Sequence, residues 1–166
     1  MKIENYHWLA GLIAAHPGRQ VVGRTRLQKT VKLLQRVGFP TDYRYTIFFY
    51  GPYSEDLQTE VDLLGCFGLI HEQDHVSRDG TVYYTIRAEQ AAGLQQIEPF
   101  LPVINDLSNA DAVVLELAAT YDAFRELGCN HKEALQRLRR KKGNKCDEGR
   151  DTQALKLLKK IWLPTV

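Results

Sequence analysis

The order of structural elements follows from three segments of the chain: GRTRLQKTVKLL at residues 23–34, YGPYS at residues 50–54 and LLGCFGLI at residues 63–70. The first segment has the spacing of a basic amphipathic helix. The second is a glycine–proline turn after a short apolar stretch. The third carries two glycines that weaken and then end a second helix.

The first segment predicts a helix with two distinct faces. Thr25 is a favourable N-cap residue, and Gln28 lies three residues later, as a capping box requires. One stripe of side chains is apolar, and we expect it to pack inward: Leu27, Val31 and Leu34. Another stripe is basic, and we expect it to point outward: Lys29, Lys32 and Arg36.

A short strand and a second helix are predicted next. Residues 45–50, YTIFFY, are aromatic and β-branched, which is typical of a strand, and Gly51-Pro52 turns the chain after it. Ser54 can cap the second helix, and two acidic residues follow it in the first turn. The inward positions of this helix are Leu57, Val61 and Leu64.

A β-hairpin is predicted after the second helix. Residues 69–76 and 81–87 are strand-like, and Asp79-Gly80 between them is a hairpin signal. Helix, strand, turn, second helix and hairpin, in this order, predict an α+β, mostly α protein that contains a winged helix-turn-helix. The hairpin would be its wing.

The C-terminal part is predicted to be a helical extension. A helical pattern resumes at residue 88, and Pro99 and Pro102 interrupt it. Three capping signals follow: Ser108 with Asp111, Asn130 with Glu133, and Asp151. Residues 141–150 read as an exposed loop. We therefore predict two domains, a winged-helix domain at residues 1–96 and a helical extension at residues 97–166.

The bulk composition is that of a globular protein. The chain has 166 residues, of which 44% are hydrophobic and 25% charged. No apolar run approaches the roughly 18–20 residues of a membrane helix, and the polar start does not resemble a signal peptide. Three cysteines, an odd number, disfavour a disulfide framework. We expect a cytoplasmic protein without a membrane partner.

The sequence HEQDH at residues 71–75 matches the zinc-protease motif letter by letter, but its context differs. On the predicted strand, two residues four apart lie about 13 Å from each other, which is too far for one zinc ion. Cys129, His131 and Cys146 lack the spacing of a zinc site, and no nucleophile or phosphate-loop motif is present. We expect no catalytic residues, no metal, no cofactor and no enzymatic activity.

The basic residues are candidates for nucleic-acid binding through phosphate contacts. Residues 132–160 hold eleven basic against four acidic residues. In the second helix, by contrast, residues 55–62 are acidic and lack Lys and Arg, which argues against ordinary major-groove reading. The candidate contacts are Arg24, Arg26, Lys29, Lys32, Arg36, Arg78, Arg137, Arg139, Arg140, Lys141 and Lys142.

The same segments resemble a known family. Arg26-Leu27-Gln28-Lys29, the YGPYS turn and the Gly68-Leu69-Ile70 end of the second helix are similar to the small YwgA-like proteins of bacteria and archaea. More distantly they resemble the Panacea domain, the SocA-type antitoxin module. The resemblance covers about residues 3–93. It implies a neutralising or adaptor module that binds a toxin or a protease rather than an enzyme.

We therefore expect a non-enzymatic binding or adaptor protein, antitoxin-like or linked to phage defence. Its contact surface to a protein partner would include Tyr50, Tyr53 and Phe67. The alternative is a transcription regulator that binds nucleic acid through the basic helix, the wing and the C-terminal basic block. A homodimer formed through the C-terminal helices also stays open.

Overall fold

The computed structural model of the protein describes residues 3–88 and 94–163, with side chains at residues 7–88 and 95–163. The described chain is α+β and mostly helical, with two small antiparallel sheets, which confirms the predicted class. Part of the helical pattern expected after residue 88 falls on residues 89–93, which lie outside the described residues.

The first half of the described chain holds three helices and five strands. They are α1 (Ile3–Ala15), β1 (Gln20–Val22), α2 (Arg24–Arg36), β2 (Thr46–Phe48), β3 (Gly51–Tyr53), α3 (Glu55–Cys66), β4 (Ile70–Val76) and β5 (Val82–Ala88). A short 3-10 helix, Pro17–Arg19, links α1 to β1. The predicted strands around Asp79-Gly80 are thus confirmed as the β4–β5 hairpin.

The second half is helical. It contains α4 (Leu94–Ile97), a 3-10 helix (Glu98–Phe100), α5 (Leu101–Asn109), α6 (Ala112–Glu126), α7 (His131–Lys142), a second 3-10 helix (Gly143–Cys146) and α8 (Arg150–Lys160). Within residues 3–88 and 94–163, no helix combines the length and the apolar character needed to cross a membrane.

Three strands form a sheet in the order β1-β5-β4, in which both neighbouring pairs are antiparallel. Val21 of β1 lies opposite Ile86 of β5, and Ile70 of β4 lies opposite Ala88. All four side chains are buried, so one face of the sheet packs on the helices. Strand β1 was not predicted from the sequence, because three residues are too few to show alternation.

Helices α2 and α6 pack against each other. Every residue of α6 from Val114 to Phe124 is buried, so this helix is enclosed on all sides. One cluster of buried apolar side chains runs from Leu9 in α1 to Leu163 after α8 and joins both predicted domains. The division into residues 1–96 and 97–166 stays a prediction.

The start of α2 and the turn after β2 differ from the prediction. Gly23, not Thr25, occupies the N-cap position of α2 and makes no side-chain cap, so the predicted capping box is wrong. The reversal of the chain falls at Phe49 and Tyr50, and Gly51 already pairs with Phe48 as the first residue of β3. The predicted Gly51-Pro52 turn is thus wrong by two residues. Gly51 adopts a φ of +90°, which favours glycine.

Helix α3 follows the prediction closely. The Ser54 hydroxyl accepts a hydrogen bond from Leu57 N at 3.2 Å, which confirms Ser54 as the N-cap. The three apolar positions expected to face inward are all buried: Leu57, Val61 and Leu64. Helix α3 is therefore fixed by its cap and its apolar face, and its acidic first turn stays exposed.

The C-terminal caps agree with the prediction at one site of three. Asn130 and Glu133 form the expected capping box of α7. Ser108 lies inside α5, and Asp111 alone caps α6 by accepting hydrogen bonds from two backbone N–H groups. Asp151 lies within α8, whose N-cap position is Gly149.

The loop predicted at residues 141–150 is also wrong. Helix α7 continues to Lys142, and a 3-10 helix follows it. Lys142 and Cys146 are buried, because their side chains pack against the body of the protein.

Candidate functional site

A groove of about 680 Å³ lies between the β2–β3 hairpin and helices α2 and α3. The hairpin supplies an aromatic wall, Phe48, Phe49, Tyr50 and Tyr53. The start of α2 and one face of α3 supply polar side chains that face this wall. Because the groove combines aromatic surface with charged groups, it has the composition of a binding site.

The aromatic residues at the tip of the hairpin are exposed to solvent. Phe49 is 75% exposed, Tyr50 57% and Phe48 49%. The rings of Phe49 and Tyr50 meet edge to face, with centroids 5.0 Å apart. Adjacent exposed aromatic side chains are uncommon on a surface that contacts only water, and they are the residues that dominate binding energy at interfaces.

Buried contacts fix the backbone of this hairpin from behind. Lys29 Nζ of α2 donates a hydrogen bond to Pro52 O at 2.7 Å. Lys142 Nζ of α7 donates to Phe49 O at 2.8 Å. Since both lysines are buried, water competes little for either carbonyl, and the exposed aromatic side chains stand on a rigid support.

One buried carboxylate pairs with two of the lysines behind the hairpin. Glu116 of α6 accepts a hydrogen bond from Lys142 Nζ at 2.7 Å and two from Lys145 Nζ at 2.9 and 3.0 Å. The pKa of Lys29 is lowered to about 8, chiefly by burial; Glu116 opposes this change, and the positive charges of Lys142 and Lys145 add to it. Burial also lowers the pKa of Lys142.

The prediction that the basic stripe of α2 points outward is wrong for two of its three residues. Lys29 and Lys32 are buried, because α2 packs against α6 on the side expected to face water. Lys32 Nζ lies 3.0 Å from a carboxylate oxygen of Asp122, and Arg36 Nε lies 3.0 Å from the same oxygen. Glu126 pairs with both cations.

The two arginines at the start of α2 also have partners inside the protein. Arg24 pairs through Nε and Nη2 with Glu72 of β4, at 2.5 and 2.8 Å. The guanidinium of Arg26 donates to carbonyl groups at the C-terminal end of α5, including Leu107 O at 3.1 Å and Ala110 O at 3.0 Å. Both of these arginines are therefore bonded to groups of the protein itself.

The predicted nucleic-acid contacts in the C-terminal part divide into buried or paired residues and exposed residues. Lys142 is buried on Glu116, and Arg139 pairs with Asp151 at 2.7 Å. The other three are exposed on one face of α7 and line a depression of about 440 Å³ with Phe124: Arg137, Arg140 and Lys141. Arg78 is exposed in the β4–β5 turn. Among the described side chains, none of these four has a carboxylate within ion-pair distance.

The residues predicted for protein binding are only partly brought together. Tyr50 and Tyr53 lie in the groove. Phe67, 68% exposed, follows the end of α3 and is not part of the groove lining. Phe48 and Phe49 were not among the predicted contact residues, because residues 45–50 together predict a strand and give no sign that both rings are exposed. The run Phe48-Phe49-Tyr50 was the available signal, since a strand with one buried face seldom carries three consecutive large aromatics.

The zinc-protease-like segment lies on β4, as expected. His75 stacks on Tyr83 of β5 with ring centroids 5.1 Å apart, and its Nε2 lies 2.8 Å from Thr85 Oγ1. Over the described part of the chain, no group of three or more His, Cys, Asp or Glu side chains is arranged to hold a metal ion. That the protein has no enzymatic activity stays a prediction.

The chain resembles a known protein at a distant level. No protein-family model matches the chain. A stretch of 106 residues, 61% of this chain, is 28% identical to the uncharacterised protein YwgA of Bacillus subtilis (strain 168) and covers 64% of the length of YwgA. This similarity supports a grouping with YwgA-like proteins. The chain thus matches less than two thirds of the relative's length.

Proposed function

We propose that the protein is a non-enzymatic winged-helix module that binds a partner protein through the β2–β3 hairpin and the groove beside it. The element order α1–β1–α2–α3–β4–β5 and the strand order β1-β5-β4 support the winged-helix assignment. In this arrangement α3 takes the place of the recognition helix, and the β4–β5 hairpin is the wing.

The observation that carries the proposal is the set of exposed aromatic rings on a fixed hairpin. Phe48, Phe49 and Tyr50 are all about half exposed or more. Two buried lysines hold the backbone beneath them. A rigid aromatic surface loses little conformational entropy on binding, so most of its burial contributes to affinity.

The charges near the groove favour a protein partner over a nucleic acid. Helix α3 exposes Glu55, Asp56 and Asp62 and contains no Lys or Arg. The cations of α2 engage groups within the fold. Phosphate groups would meet uncompensated carboxylates at α3, which opposes their approach. An antitoxin-like or phage-defence role rests on the Panacea resemblance alone.

Site-specific photo-crosslinking in the native host tests the proposal. A benzoylphenylalanine in place of Phe49 is expected to give a discrete adduct with one protein, and Tyr50→Ser is expected to remove that adduct. The control carries the crosslinker at Trp162, an aromatic residue of similar exposure, 73%, that follows α8. The same adducts from both sites, or an adduct that Tyr50→Ser leaves unchanged, would contradict the proposal.

A second candidate function is nucleic-acid binding through α7 and the wing. The observation that favours it is the exposure of Arg137, Arg140, Lys141 and Arg78, which have no carboxylate partner among the side chains that the structure describes. The test is the salt dependence of binding to random duplex DNA. Replacing the three α7 cations by Gln is expected to reduce the salt slope by about one per lost phosphate contact. Absence of binding at low salt would eliminate this candidate.

A further inference from the structure

The groove beside the hairpin has an acidic wall that faces its aromatic wall. Glu55, Gln58 and Asp62 lie at i, i+3 and i+7 on α3, so their side chains share one face of that helix. Glu55 and Asp62 are exposed. The opposite wall is the aromatic surface of the hairpin, including Phe49 and Tyr50. A bound group would therefore contact carboxylates on one side and aromatic rings on the other.

The two described cations that line the groove are bonded to groups other than Glu55 and Asp62. Lys29 is 1% exposed and bonded to Pro52 O, so it does not reach the groove opening. Arg24 is held by Glu72 in a bidentate pair and also lies within the field of Asp62.

The carboxylates of Glu55 and Asp62 on α3 are therefore not neutralised by an ion pair among the described side chains. Asp62 accepts a hydrogen bond from the neutral Gln58 at 2.9 Å. The carboxylate of Glu55 has no ion-pair partner among the described side chains. The Arg24 guanidinium lines the groove but is paired with Glu72, so among the described side chains it forms no ion pair with Glu55 or Asp62.

We infer that the groove takes a segment of the partner protein that presents an arginine or lysine side chain next to an apolar residue. This inference rests on the proposed function and specifies the chemistry of the partner. A cation in the groove neutralises the negative charge of Glu55 and Asp62. The faces of the aromatic rings in the opposite wall also attract this cation. The apolar neighbour covers the exposed edges of Phe48 and Phe49.

Two basic side chains that border the groove already lie over aromatic rings of the protein, Tyr50 in the groove and Tyr84 outside its lining. Lys145 Nζ lies 5.2 Å from the ring centroid of Tyr50, and the Arg24 guanidinium lies 4.3 Å from that of Tyr84. Cation–π contact is therefore an interaction that the local geometry accommodates. An acidic segment in the same groove would bring like charges together at Glu55 and Asp62, which costs affinity.

Terminally blocked, fluorescein-labelled octapeptide pools test the inference by fluorescence anisotropy. Each pool carries a fixed central pair, Arg-Leu, Gln-Leu or Glu-Leu, with uncharged residues at the other positions. The Arg-Leu pool is expected to bind roughly tenfold more tightly than the Gln-Leu pool, and the Glu-Leu pool most weakly. The preference is expected to fall as salt is added.

Two charge-neutralising variants on the same helix separate a groove effect from a helix effect. The double variant Glu55→Gln/Asp62→Asn is expected to remove the preference for Arg-Leu. Asp56→Asn is expected to keep it, since Asp56 is also exposed in the first turn of α3 but does not line the groove. Urea midpoints of both variants establish that the fold is retained.

The outcomes distinguish this inference from the proposed function. Equal affinity of the three pools, no binding by any pool, or a preference that survives Glu55→Gln/Asp62→Asn would overturn the cationic occupant. A preference for Glu-Leu would overturn it as well. The proposed function stands or falls separately, by the specific adduct formed from position 49.

Discussion

The carboxamide of Gln28 makes two hydrogen bonds to the backbone of Ser54. Its Nε2 donates to Ser54 O at 3.0 Å, and Ser54 N donates to its Oε1 at 2.9 Å. Ser54 is also the N-cap of α3, so one side chain of α2 fixes the point where β3 ends and α3 begins. With the neighbouring bond from Lys29 to Pro52 O, the Leu-Gln-Lys and Gly-Pro-Tyr-Ser motifs form one unit.

Replacing Gln28 by Leu is expected to lower the free energy of unfolding by about 1–3 kcal/mol. The substitution keeps the approximate volume but leaves the buried Ser54 N–H without its acceptor, and an unpaired buried donor costs about this amount. Urea denaturation measures the change. Gln153→Leu, at an exposed position of α8, is the control and is expected to change stability by less than about 0.5 kcal/mol. Equal effects would refute the role of the pair.

Gly51→Ala tests how closely the hairpin approaches α6. A Cβ at this position would lie 2.4 Å from Thr120 Oγ1, and the φ of +90° is unfavourable for alanine. The control is Gly38→Ala, where φ is +97° but no atom lies within 4 Å of the added carbon. Both variants carry the backbone strain, so Gly51→Ala is expected to cost about 1–3 kcal/mol more in thermal or urea unfolding. A difference near zero would mean that the hairpin shifts without cost.

The sequence contained enough information to predict helix α3 and the β4–β5 hairpin. Ser54 has the side chain of a cap, the apolar residues of α3 repeat at helical spacing, and Asp79-Gly80 lies between two alternating strands. Each of these signals is local, because it depends only on residues within one element and its ends. Local signals also explain why the capping box at Asn130 and Glu133 is correct.

The sequence could not show which face of a polar helix is buried. The spacing of Lys29 and Lys32 is that of a solvent-exposed helix face. In the structure, carboxylates of α6, about ninety residues further along the chain, lie close to them: Glu116 near Lys29 and Asp122 beside Lys32. The predicted contact residues Tyr50 and Tyr53 line the groove, but Phe48 and Phe49 were not predicted, for a related reason. Whether the side chain of Phe49 is buried or exposed depends on the position of the turn. The turn lies at Phe49 and Tyr50, two residues before the predicted position, because Gly51 already pairs with Phe48.

Lys32→Met is expected to destabilise the fold by about 3 kcal/mol, because it leaves the buried Asp122 carboxylate with Arg36 as its remaining strong partner. Adding Asp122→Asn is expected to restore part of this loss, since it removes the uncompensated charge. Lys141→Met, on the exposed face of α7, is the control and is expected to have little effect on the urea midpoint. If Lys32→Met were as harmless as Lys141→Met, the buried pair would contribute nothing to stability.

The lowered pKa of Lys29 predicts that the protein becomes more stable between pH 7.5 and 9. The side chain loses its proton near pH 8 in the folded protein but only near 10.5 in the unfolded chain. In this interval the unfolded state binds more protons than the folded state, so the free energy of unfolding rises with pH, by about 1 kcal/mol over this range. Lys142, whose pKa is also lowered, acts in the same direction.

Measurement should stop at pH 9, because burial raises the pKa of Cys146 and of Tyr43. A group with a raised pKa loses stabilising free energy as pH rises above its unfolded value, which would oppose the effect of Lys29. Lys29→Met is expected to reduce the slope of unfolding free energy against pH, whatever its effect on the absolute stability. Exposed Lys156→Met is the control and should keep the wild-type slope. A slope unchanged in Lys29→Met would show that this ammonium, although enclosed, is not destabilised by its burial.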